Sequence, residues 1–190
     1  MTDEVPIIAF ETETDFEQWL VSNHADAKAL WMKIAKKASP YSTIDYQQAL
    51  TLALCYGWID GVKNKLDENY FLQRFTPRRP KSKWSRINRE KAEVLMAEGR
   101  MHTAGLNEVE QARADGRWDA AYESSSRITV PEDFQAMLDE HPQAQAFFDT
   151  LSSTNRYAIL YRLSTVKKEE TRQRNMAKFL AMLLAKETIY

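Results

Sequence analysis

Between Gly57 and Pro80 the sequence leaves the backbone one arrangement. The stretch GWIDGVKNKLDENYFLQRFTPRRP opens on a glycine and closes on two prolines. Upstream, STIDYQQALTLALCY is rich in Ala and Leu, and Gly57 stands where a helix ends in left-handed backbone. Downstream, Pro77 and Pro80 each fix φ and remove an amide donor, so neither strand nor helix runs on through them. Between these stops lie WIDGVKNKL and YFLQRFT, two runs of strand-forming residues joined by the polar DEN. That pattern predicts a β-hairpin fed by a helix.

The rest of the chain arranges itself around this unit. Residues 6–10, PIIAF, read as a short strand. TDFEQWL opens a helix, with Thr14 and Glu17 as its expected capping box. The alternation of Leu30, Met32 and Ile34 marks another strand, and Thr43 is placed to cap the helix that ends at Gly57. Ser85 starts a helix running to about Glu98, and a further one covers Thr103 to Ala114. The longest turn-like passage, RWDAAYESSSRITVPED, divides the chain. Residues 1–125 are expected to form an α+β domain with a small antiparallel sheet, and residues 126–190 an all-helical subdomain. In the last helix Met176, Phe179, Leu180, Leu183 and Leu184 share one stripe, spaced for burial. The expected fold class is α+β.

Several chemistries find no support. The single cysteine, Cys55, excludes an intramolecular disulfide and sits in an Ala/Leu run that suits a buried, inert thiol. His24, His102 and His141 are far apart in sequence, and none pairs with another ligand at a metal-binding spacing. No glycine loop, nucleophile elbow or dinucleotide fingerprint is present, so no cofactor is expected. No apolar run approaches the ~18–20 residues of a membrane span. The N-terminus, acidic with a short apolar core, does not read as a signal peptide. A cytoplasmic protein is expected.

Charge is the second strong feature. The chain carries a net −1, yet RFTPRRPKSKWSRINR (74–89) holds seven basic residues and no acid. Widened to Lys63–Lys91, the block has ten Lys/Arg against three Asp/Glu, or +7, which leaves −8 on the remainder. Arg74 interrupts an otherwise largely apolar strand face shared with Tyr70, Leu72 and Thr76. The prolines hold Arg78, Arg79 and Lys81 on an extended arm. Trp84 and Asn88 flank the start of a helix, where free amides attract anions. Across from this wall, Trp58 and Asp60 alternate onto one face of their strand, and Arg172 falls on the buried stripe of the last helix. These nine residues are the candidate ligand-binding set; no catalytic residue is assigned.

The motifs ALCYGWIDG, RFTPRRPKSKWSRIN, GRMHTAGL, DGRWDAAY and KKEETRQR, in that order, resemble the bacterial YdeI/OmpD-associated (OmdA-type) bacteriocin-protection family. The likeness runs from about Phe10 to Leu184, with the OmdA domain itself at about Pro131 to Lys186. The resemblance implies a stress role in withstanding bacteriocins or antimicrobial peptides and an association with envelope proteins, and it implies no catalytic residue. One departure is the lack of a recognisable export signal.

Three functions follow in order. The first is a non-catalytic protection protein binding a small anionic ligand or an acidic protein surface through the basic-aromatic set. The second is a nucleic-acid-binding module using the 74–91 block, which the acidic remainder disfavours. The third is an enzyme with Asp60 in its site, disfavoured because neighbouring arginines would make Asp60 a weak base.

Overall fold

The computed structural model describes residues 5–190. The acidic first residues, which bear on the signal-peptide reading, lie outside them. Strands β1 (Ile7–Ile8), β2 (Leu30–Ala35), β3 (Trp58–Lys65) and β4 (Tyr70–Pro77) form one sheet in the order β1-β2-β4-β3. The three long strands are antiparallel, and the two-residue β1 joins β2 in parallel. With helices α1 (Glu13–Asn23), α2 (Tyr46–Cys55), α3 (Arg86–Ala97) and α4 (Thr103–Ala114), followed by α5 (Glu132–Asp139), α6 (Pro142–Thr150), α7 (Ser153–Thr165) and α8 (Glu169–Leu184), the fold is α+β.

The chain divides into two compact units. One holds the chain up to Lys83 together with Asn88–Asp119; the other holds Trp84–Ile87 and Ala120–Tyr190.

In the first unit, β2 alternates strictly. Leu30, Met32 and Ile34 are buried, while Trp31, Lys33 and Ala35 are half-buried. The buried side faces helices α1 and α2, where Phe16 meets Phe75 at 6.1 Å and Trp19 meets Trp58 edge-on at 5.6 Å. The hairpin falls where Gly57 and Pro77 require it. A bulge between Asp60 and Lys63 breaks the β3–β4 ladder, and the buried Gln73 amide donates to the carbonyls of Gly61 and Val62 there. Strand β3 is an edge, and beyond the bulge it carries the exposed Lys63 and Lys65.

Two caps lie elsewhere than the sequence predicts. Helix α1 is capped by Thr12 with Asp15, not by Thr14 with Glu17; Glu17 instead accepts a hydrogen bond from Tyr56 Oη. Helix α2 is capped by Asp45 with Gln48, because Thr43 Oγ1 is taken by the amide of Ala35.

The second unit packs α5–α8 around Phe134, Leu138, Phe148, Ile159, Leu163, Met176, Phe179 and Leu183. On α8 the expected stripe is deepest at Met176, Phe179 and Leu183, while Leu184 reaches solvent. Asn155, buried on α7, accepts from the amides of Ile189 and Tyr190 and so ties down the last residues.

Candidate functional site

The face of the sheet turned away from α1 and α2 carries a concavity of about 400 Å³. Ile59, Gly61 and Val62 of β3 and Arg74, Thr76 and Pro77 of β4 line it, and the segment Arg79–Ser82 forms its rim. Cross-strand register pairs Ile59 with Thr76, so both look onto this side. The proline-held arm turns over at Lys81, whose φ of 68° is a left-handed conformation unusual for a non-glycine residue. Three cations, Arg74, Arg79 and Lys81, therefore surround one hollow. None of them forms an ion pair among the described residues, and the Nε of Arg74 is buried without a hydrogen-bond partner.

The remaining candidates lie elsewhere. Trp58 and Asp60 do share a face, but it is the helix-covered one, since Asp60 lies opposite Phe75. Trp58 is buried and its indole N–H donates to His24 O at 3.0 Å; Asp60 accepts from Tyr46 Oη at 2.9 Å. Arg78 turns inward, only 6% exposed, with Nη1 donating to Lys83 O. Its charge acts on the half-buried Glu108, whose carboxyl burial pushes up against the opposing pull of the guanidinium.

Trp84 is buried and belongs to the second unit, where its carbonyl accepts from the amide of Tyr122. Helix α3 begins at Arg86, so Ser85 holds the position before it, and Asn88 lies half-buried in the first turn. The rest of the basic block disperses. Arg86 pairs with Glu123 at 2.6 Å, Arg89 with Glu93 at 3.0 Å, and Lys91 donates to Gln47 and Thr51.

Arg172 is a clamp within the second unit. Its guanidinium makes two charge-assisted hydrogen bonds to Asp133, at 2.6 and 2.7 Å, and a third to Leu163 O. The Arg172 bond holds the Asp133 carboxyl below the usual carboxylate range. A carboxyl depressed by folding contributes stability that is present above its unfolded pKa and lost as pH falls through its folded one. Arg172→Leu is expected to cost about 2 kcal/mol at neutral pH. The deficit should shrink on acidification below the usual carboxylate range, read as urea midpoints at pH 7 and pH 3.

One cluster carries no sequence signal. The end of α1, the end of α2 and the start of α4 bring His24, Tyr56 and His102 together, with His24–His102 at 5.2 Å and Tyr56–His102 stacked at 4.9 Å. These residues are far apart along the chain, so spacing could not show them. Among the described residues no group of three or more His, Cys, Asp or Glu could hold a metal ion. Cys55 beside them is buried, and desolvation pushes its thiol up to about 11, which leaves it unreactive near neutral pH. Among the described residues no helix is long and apolar enough to cross a membrane.

Two family models match the chain. One, described as a domain of unknown function (DUF8412), covers residues 8–108, from β1 into α4 and including the concavity. The other, described as bacteriocin-protection, YdeI or OmpD-associated, covers residues 127–186. No curated protein and no solved structure matches the chain. The chain thus belongs, through the larger N-terminal part, to the family described as DUF8412, while its C-terminal helices, over residues 127–186, are similar to the bacteriocin-protection, YdeI or OmpD-associated (OmdA) domain.

Proposed function

We propose that this chain is a non-catalytic protection protein that binds a small phosphate-class anion in the concavity of its sheet. The observation that carries the reading is the trio Arg74, Arg79 and Lys81 around one hollow, without an ion-pair partner among the described residues. Like charges gathered around one hollow repel one another, so an anion that joins them is favoured. Thr76 and Ser82 add hydroxyls at the same wall. Asp60, the one carboxylate in the candidate set, is on the opposite face, which supports binding over acid–base chemistry. The family description supports the protective role. A cationic peptide would be repelled here, so protection through this face runs through an anion and not through direct capture of a cationic attacker.

Calorimetric titration with pyrophosphate at low salt tests the site. Arg74→Gln is expected to weaken binding at least about tenfold, which corresponds to roughly 1.4 kcal/mol, and Lys81→Gln by less. Added salt should weaken the native affinity, because the rim is exposed. Unchanged affinity in both variants would sink the reading.

A further inference from the structure

The anion reading, on which this inference rests, leaves open what lies on the far side of Arg74. Strand register sets Trp31 directly opposite Arg74, and Ile7 opposite Trp31. One row across the outer face therefore runs Ile7, Trp31, Arg74. It continues to Gly61, where a Cβ would stand 3.7 Å from the Arg74 Cβ, so no side chain obstructs the row there.

Trp31 is half-buried, and among the described residues its indole has no ring, cation or hydrogen-bond partner. The other indoles are engaged or enclosed. Trp19 stacks on Phe16 at 6.3 Å, Trp58 donates to His24 O, Trp118 lies under Arg113 at 5.2 Å, and Trp84 is buried. An unengaged aromatic plate one strand away from an unpaired cationic hollow suits a ligand with a flat ring at one end and negative charge at the other.

The platform is one ring wide. Farther along the same face, Tyr70 is already occupied by the Tyr41 ring, stacked at 5.4 Å, and by the Lys33 ammonium at 4.0 Å from its centroid. Trp31 lies two strand spacings, about 10 Å, from β3. We propose that the ligand of the groove is a mononucleotide, its base stacked on Trp31 and its phosphates held by Arg74, Arg79 and Lys81. Base stacking on an aromatic side chain is sequence-tolerant, so the site is expected to prefer phosphorylated nucleosides as a class over a particular base.

The test compares ADP with pyrophosphate on the intact protein. ADP is expected to bind roughly tenfold tighter, the contribution of one stacked base. Trp31→Leu should remove that advantage while leaving pyrophosphate affinity unchanged, which also shows that the variant folds. In Trp31→Phe, which keeps a ring, most of the advantage should remain. ADP should also quench part of the native tryptophan emission, and this quenching should vanish in Trp31→Phe.

Equal affinity for ADP and pyrophosphate, or an ADP advantage that survives Trp31→Leu, overturns the nucleotide and leaves the anion site standing. Pyrophosphate binding that is absent, or indifferent to Arg74→Gln, overturns the anion site itself. An oligothymidylate that binds more tightly than ADP, with a salt slope of several phosphates, overturns the mononucleotide in favour of a polymer.

Discussion

Gly105→Ala is expected to destabilise the N-terminal unit by about 3 kcal/mol, although alanine is the better helix former by about 1 kcal/mol. The reason is contact between backbones. A Cβ at Gly105 would stand 2.4 Å from Cys55 O and 2.7 Å from Leu54 O, neither of which can rotate away. The same junction is tight from the other side. Gly57, at φ +75°, would place a Cβ 2.9 Å from Ala104 O. The amide of His102 donates to Cys55 O across this seam, so forcing α4 off α2 also strains that bond. Gly99 is the control, because nothing lies within 4 Å of its Cβ position. There only the left-handed backbone resists, and Gly99→Ala should cost about 1 kcal/mol. Urea unfolding followed by far-ultraviolet dichroism separates the two. A Gly105→Ala protein as stable as the native one would show that α2 and α4 do not meet at this distance.

Trp58→Ala is expected to cost about 4 kcal/mol, with no change in the pyrophosphate affinity of the protein that remains folded. Trp58 is among the largest fully buried side chains, and it lies on the face of the sheet opposite the concavity. Trp58→Phe keeps most of the packing but leaves His24 O without its indole donor, and should cost about 1–2 kcal/mol. Thermal melts and pyrophosphate titrations on the two variants decide the role of this residue. A variant of native stability that had lost affinity would return Trp58 to the ligand wall expected from its sequence position.

That contrast shows what the sequence held and what it did not. The hairpin was legible because Gly57 and Pro77 act on the backbone through their own covalent geometry. The helices from Thr103 onward were legible because their apolar stripes and flanking stops are local. Parity along β3 put Trp58 with Asp60, and parity along β4 put Arg74 with Thr76, both as found. What parity lacks is register between strands. Pairing Asp60 with Phe75 and Arg74 with Trp31 places the two expected walls on opposite faces. The basic block was visible as composition, but its dispersal depends on partners distant in sequence, as with Arg86 and Glu123. The cap of α1 lies at Thr12 and not at Thr14 because TETDFE contains two overlapping capping boxes, and a tertiary bond from Tyr56 to Glu17 selects between them. The alternation of Leu30, Met32 and Ile34 puts Trp31 on the other face of β2, but its exposure depends on which side of the sheet the helices cover.

Strand β3 bears on how the chain behaves in concentrated solution. An uncovered edge strand offers its unused amides and carbonyls to any passing extended segment, which is how sheets recruit one another into aggregates. Here the bulge between Asp60 and Lys63 bends that row, and Lys63 and Lys65 place like charge at its far end. A second copy aligning edge to edge would meet a broken ladder and its own lysines. The strand that floors the hollow is thereby a poor template for fibre growth.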